Sequence, residues 1–309
     1  MGCRLDCFQP VTHSYCPPAL LQTLTSCGKQ YVMKTRESRY VKVARSAYHL
    51  TQEALPRYSH PKSPHHFTLP QLAACVLLMY YLDFSYRDME EWLLARDQVC
   101  QALELPRIPD HTTLQRTYKK LHMLDFEKMK NQLLDENGVE EEGIASDSTG
   151  FSPGYQTRTW RIYQRWAKGV YAVGTASQFI LAWRSGWGPG SDVAHLPGLR
   201  RDSCRYGRYQ GKRKAWVMMA DAGFDGQSVR DDDLVPAVRR GVNLLNPERK
   251  ARADLVSQAR LDGLFGQRWK TETVNSVIKR KFGDTIRSRK RSLQRREPII
   301  KGLVYNIQR

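Results

Sequence analysis

The sequence predicts an α/β protein, a mixed sheet flanked by helices, preceded by a small all-α, helix-turn-helix-like domain. Three observations predict it. Between residues 67 and 134, apolar residues recur at helical spacing behind clear start signals. From Gly143 the pattern changes to short apolar runs of strand length, and after residue 264 it returns to a helical period. Strands gathered in a run and then alternating with helices are the pattern of a mixed sheet with helices packed on it.

Taken in order, residues 1–66 have no sustained period beyond a candidate helix within 31–55, and are expected to form a poorly ordered leader. Four of the seven cysteines, Cys3, Cys7, Cys16 and Cys27, lie there near His13. Their spacing fits no compact paired zinc-ligand pattern, so reduced thiols are expected rather than a metal site. Residues 58–66 (YSHPKSPHH) read as a linker, since two prolines among polar residues bar regular structure.

Residues 67–140 read as a helical DNA-binding domain. Thr68 and Gln71 form a capping-box pattern with Pro70 in the first turn, which predicts a helix over 69–81. Ser85 and Asp88 repeat the pattern for 86–94, and Asp110 opens 111–121, followed by 124–134. Short capped helices with tight joints suit a helix-turn-helix-like unit. The run Glu140-Glu141-Glu142 reads as a solvated turn.

Residues 141–309 then hold the expected catalytic domain. Strands are predicted at 143–148, 170–177, 179–183, 215–220 and 241–245, with helices at 192–199 and 228–239. Asp231-Asp232-Asp233 reads as solvated charge at the start of the second of these helices, because consecutive side chains diverge and cannot jointly chelate. Residues 264–282 form one amphipathic helix. At roughly 100° per residue, Arg268, Glu272 and Lys279 fall within about 40° of each other, with Phe265 at their edge, while Leu264, Val274, Val277, Ile278 and Phe282 fall on the far side. A final helix over 297–307, with Ile299, Ile300, Leu303, Val304 and Ile307 apolar, is expected to dock on this domain.

The formal charge of +18 and a pI near 9.7 point to a polyanion partner. No apolar run approaches the roughly 20 residues that span a bilayer, and the N-terminus lacks the pattern of a secretory signal. The basic residues gather in three clusters. Arg158, Arg161, Arg165 and Lys168 interleave with Tyr155, Trp160, Tyr163 and Trp166; residues 200–214 interleave with Tyr206 and Tyr209; and residues 287–296 include Arg287 and Arg289. Such clusters neutralise phosphates, and exposed aromatics among them stack on unpaired bases.

Three acids carry the chemistry. Asp147 closes the strand GIASDS before Ser148-Thr149-Gly150, Asp221 closes AWVMMA before Ala222-Gly223-Phe224, and Glu272 stands on the charged helix face. Each alone is ordinarily a turn former, a helix cap or a solvated residue. Together they supply oxygen-only ligands, which select Mg²⁺ or Mn²⁺ over zinc. Two such ions roughly 4 Å apart serve in-line phosphoryl displacement, and Arg268 and Lys279 are then placed to hold a phosphodiester.

These blocks, Asp147-Ser-Thr-Gly, Asp221-Ala-Gly-Phe and Arg268-x₃-Glu272-x₆-Lys279, resemble the signature blocks of DDE-type insertion-sequence transposases of the fourth and fifth groups, found in bacteria and archaea. The segment IPDHTTLQRTYKKL (108–121) and the basic ending also resemble that family, so the resemblance covers roughly residues 67–309. It implies a ribonuclease H-like core with Asp147 on the first strand, Asp221 on the fourth and Glu272 on a late helix. It also implies Mg²⁺ or Mn²⁺, as two ions, as cofactor, with metal-dependent cleavage at transposon ends and strand transfer into target DNA. The implied partners are double-stranded DNA, as terminal inverted repeats and target, and a second copy of the chain in a synaptic dimer. The implied location is the prokaryotic cytoplasm, with the nucleoid. One position departs from the family: the tyrosine three residues before the arginine is Phe265, which lacks the hydroxyl, so altered DNA handling is expected rather than lost chemistry. Two alternatives stay open on sequence, a transposase-derived DNA-binding protein that no longer cuts and a purely hydrolytic nuclease on the same core.

Overall fold

The computed structural model describes residues 37–62, 65–154, 166–237 and 246–309. Among them the chain opens with six helices: α1 (Arg39–Ala54), α2 (Leu69–Tyr81), α3 (Tyr86–Leu94), α4 (Asp97–Ala102), α5 (His111–Lys120) and α6 (Met123–Glu136). Their starts are set by local chemistry. The Thr68 hydroxyl accepts from the Gln71 N–H at 3.3 Å while the Gln71 side chain accepts from the Thr68 N–H at 2.9 Å, and Ser85 with Asp88 repeats the box. Asp110 caps α5 by accepting from the N–H groups of Thr112 and Thr113, both at 2.9 Å. Each such cap is worth roughly 1 kcal/mol. The weak α4, with no side-chain cap, has no counterpart in the sequence reading.

The main sheet has the order β3-β2-β1-β6, from β1 (Gly143–Pro153), β2 (Trp166–Gly174), β3 (Ile180–Gly188) and β6 (Val217–Ala220), with β7 (Thr285–Ile286) pairing the far end of β1. β1, β2 and β3 form an antiparallel meander, whereas β6 and β7 run parallel to β1. The sheet is therefore mixed, with helices flanking it. A separate hairpin, β4 (Tyr209–Gln210) and β5 (Arg213–Lys214), turns at Gly211, whose φ of 62° suits glycine.

Alternation along the strands sorts the core. Ile144, Met218 and Ala220 pack with Leu196 and Leu199 of α7 (Leu196–Ser203) on one face, and Ala145 and Met219 pack with Val256 and Ala259 of α8 (Pro247–Leu261) on the other. α9 (Trp269–Phe282) covers the second face further along, where Phe151 shares a core with Val274, Ile278 and Phe282. α9 stops at Gly283, whose φ is 80°; a Cβ there would stand 2.7 Å from the Asp83 carboxylate.

The last elements are α10 (Arg291–Gln294) and α11 (Glu297–Gln308). α11 is buried on all sides, packing on α1, α2 and α6 as well as on β2 and β3. Ile299, Ile300 and Leu303 are fully buried, and each such side chain contributes about 1.5–3 kcal/mol. The helical region and the sheet thus share one core through α11, and Glu37–Arg309 forms one compact unit with α1 inside it.

Several expectations need correction. β1 does not end at Asp147 in a glycine turn but runs on to Pro153, because β2 continues to pair it as far as Phe151. Residues 228–237, the described part of the helix expected at 228–239, are turn and extended chain. Leu234 there forms a parallel bridge with Met219, its N–H reaching the Met218 carbonyl at 2.8 Å. The acidic triplet is not all solvated: Asp233 is fully buried against Arg200, and Asp232 pairs with Lys214. Glu141 is likewise buried, accepting from the N–H groups of Ala176 and Ser177 at 2.8 and 2.9 Å to close the β2–β3 turn. In each case a distant partner outweighed the local pattern. The strand expected at 241–245 and Cys3, Cys7, Cys16 and Cys27 lie outside the described residues.

Candidate active site

Strand register brings the first two predicted acids together. The parallel pairing of β1 with β6 ends at Ser146 opposite Ala220, so Asp147 and Asp221 each follow the last paired position of neighbouring strands. Alternation puts Asp147 on the face of Ala145, and Asp221, still extended at φ −80° and ψ 176°, on the face of Met219. Both therefore point to the side covered by α8 and α9. Past Asp147, β6 leaves the edge of β1 and β7 joins only at Ser152, so the acid sits where the sheet opens.

Asp221 also serves its own turn. Its carboxylate accepts from the Gly223 N–H at 2.9 Å, at the start of a 3-10 turn over Ala222–Phe224. The next acid, Asp225, is 4% exposed and is clamped by Arg249 and Arg252 of α8. That clamp fixes the turn following Asp221.

Glu272 lies in the first turn of α9, where the helix dipole favours a carboxylate. It is more than half exposed and accepts from Arg268 at 2.7 Å. Arg268 meets Glu272 as the helical spacing predicts, but from the end of a 3-10 turn over Phe265–Arg268 that leads into α9. Phe265, at the start of this turn, is half-buried. Its ring packs with Leu264 beside Ala145, Met219 and Val256, under the Arg260 guanidinium at 5.3 Å.

Burial pushes the Asp147 carboxyl above the ordinary aspartate range; the Ser148 N–H pulls it down, Asp221 and Glu272 push it up, and Arg268 pulls it down. Asp221 and Glu272 are thus both close enough for their charge to act on Asp147. As placed, however, no three His, Cys, Asp or Glu side chains among the described residues are grouped to hold a metal ion. Glu272 is turned onto Arg268, and rotation away from it is what such a set requires.

The donor chemistry fits a hard divalent ion. Asp147 and Asp221 stand side by side, and Asn275, one turn beyond Glu272 on α9, donates its Nδ2 to Asp147 Oδ2 at 3.1 Å. Its Oδ1 is buried with no hydrogen-bond partner. Asn275 belongs to none of the sequence blocks; its one signal in the sequence is an amide in the apolar stripe Val274, Ile278 and Phe282, three residues after Glu272. A second such residue is Asp192, which accepts from Ser148 Oγ and Lys168 Nζ, both at 2.8 Å, and so braces β1 beside Asp147.

The predicted phosphate contacts divide. Lys279 is half-buried, its ammonium 6.0 Å from the Phe151 ring. Arg287 pairs with Asp83 at 2.6 Å and donates to the carbonyls of Asp83 and Phe84. Arg289 lines a cavity of about 380 Å³ with Lys119, Lys290, Tyr80 and Tyr86. Arg158 and Arg161 lie outside the described residues. Much of the other basic clusters is used internally: Arg205 pairs with Asp135 and Arg208 with Glu142, while Arg296 donates to the Lys119 and Leu121 carbonyls at the end of α5. Tyr206 is a core residue and Tyr209 is exposed.

Neither protein-family models nor curated proteins match this chain. Among the described residues no helix is long and apolar enough to cross a membrane.

Proposed function

We propose that this chain is a DDE-type DNA transposase with a ribonuclease H-like catalytic core, cleaving transposon ends and joining them to target DNA. The observation that carries the reading is the placement of Asp147 and Asp221 just past the last paired positions of adjacent parallel strands, on the face covered by the helix that bears Glu272. An antiparallel meander, then a strand parallel to the first, with acids on both and a third on a late helix, agrees with that core.

Asp147, Asp221 and Glu272 are the residues that would hold Mg²⁺ or Mn²⁺. When bound, such ions supply charge neutralisation at the phosphodiester and a more acidic attacking hydroxyl. Arg268, released as Glu272 turns inward, gains a free guanidinium beside the acids for the DNA backbone. Lys279, farther along α9, adds charge on the approach. The excess of +18 supports a DNA partner, with inverted repeats and target as substrates and a synaptic dimer as the working form.

The Arg268–Glu272 pair favours a second reading, a transposase-derived protein that binds DNA without cutting. One experiment separates the two, and a purely hydrolytic nuclease besides. The protein is incubated with Mg²⁺ or Mn²⁺ and duplexes bearing the inverted repeats that flank its coding sequence, and nicked and joined products are resolved. Cleavage with joining is expected, both abolished by Asp221→Ala with DNA binding intact. Binding without cleavage establishes the second reading, cleavage without joining the nuclease, and cleavage surviving Asp221→Ala overturns the site.

A further inference from the structure

Two buried asparagines on neighbouring helices behave differently. Asn306 of α11, 1% exposed, satisfies both ends of its amide on one residue: Oδ1 accepts from the Ile180 N–H and Nδ2 donates to the Ile180 carbonyl, each at 2.9 Å. It is a structural amide that extends the edge of β3. Asn275 of α9, 7% exposed, satisfies only one end, Nδ2 on Asp147, and its Oδ1 has no partner. An amide oxygen buried without a donor is costly unless something supplies one.

We infer that Asn275 is the positioning residue of the acidic site: Nδ2 fixes the Asp147 carboxylate toward Asp221, and Oδ1 accepts from a water of the hydrated divalent ion. The inference rests on the metal reading above. Three features support it. Asn275 and Glu272 are three residues apart on one helix and therefore share a face, so α9 delivers both to the same acids. The donor is neutral; a lysine or arginine here would cancel the charge of Asp147 and compete with a cation, whereas an amide holds the carboxylate and leaves its charge available. The ions concerned also keep part of their hydration shell, so an oxygen acceptor just beyond the carboxylates has a donor to receive.

The full-length protein without DNA tests this through Mn²⁺ binding, followed by electron paramagnetic resonance of the free ion. Asn275→Leu keeps the branched outline and removes both amide functions, and Asn275→Ala removes them with a smaller side chain. Both are expected to weaken Mn²⁺ affinity about tenfold or more, the usual effect of losing such an outer partner, while each metal-free variant keeps a cooperative melting transition. Wild-type affinity in the folded variants overturns the role of Asn275 and leaves the metal reading standing. Absence of Mn²⁺ binding by the wild type overturns both. Loss of the folded state in both variants assigns Asn275 to helix packing and overturns the inference as well.

Discussion

The two acids that follow β6, Asp221 and Asp225, lie four residues apart in one turn, yet the structure treats them in opposite ways. Asp225 is buried and answered by two guanidinium groups, Arg249 and Arg252. Asp221 faces Asp147, which is itself held by a neutral amide and pushed toward its protonated form by burial and by neighbouring carboxylates. The neutralised acid ties the turn to α8, and the acids lacking such neutralisation create a demand for positive charge. Asp233 with Arg200 belongs with Asp225. Buried acids alone therefore do not identify a site; the state of their partners does.

The largest effect is expected where the neutralised acid is broken. Asp225→Ala leaves Arg252, whose side chain is 9% exposed, without its carboxylate. Removing one partner of such a pair costs about 3–5 kcal/mol. Urea unfolding measures it, and a loss below about 1 kcal/mol would show that solvent, not Asp225, satisfies these arginines.

The unneutralised acid should behave in the reverse sense. The Asp147 carboxyl is raised in the folded protein, so the stability it contributes is present below the ordinary aspartate range and lost as pH rises through the folded pKa. Asp147→Asn keeps the shape and cannot ionise. Without metal, its melting temperature should match the wild type in acid, exceed it increasingly as pH rises from the ordinary aspartate range through the raised pKa of the folded state, and keep a constant lead beyond that. A wild type that gains on the variant with rising pH contradicts the assignment of Asp147 to the unneutralised group.

The smallest effect belongs to Glu272. Its ion pair with Arg268 is an exposed helical pair, of a kind worth roughly 0.3–0.5 kcal/mol. Glu272→Ala should therefore leave metal-free unfolding almost unchanged while eliminating strand cleavage. A loss of several kcal/mol would make Glu272 a structural acid like Asp225.

Much of the local structure was legible in the sequence. Side-chain caps at Thr68, Ser85 and Asp110 start helices where expected, and Val274, Ile278 and Phe282 form the buried stripe of α9. These features depend on residues a few positions apart, and the composition of a short window determines them. The order of the three acid blocks could also be read, because it is a property of the chain.

Which residues answer which was decided only in the tertiary structure. Nothing near Asp233 announces Arg200, nothing near Glu141 announces the turn at Ala176, and Arg287 meets Asp83 across two hundred residues. Each of these local patterns pointed to solvent or DNA, and burial against a distant partner reversed it. The same holds for the candidate site. The sequence by itself supplied Asp147, Asp221 and Glu272 and the positive charge around them. The parallel register of β1 and β6, the contact of the half-buried Phe265 with Ala145, Met219 and Val256, and the approach of Asn275 to Asp147 arose from packing, because strand pairing and helix docking join groups that no local window contains.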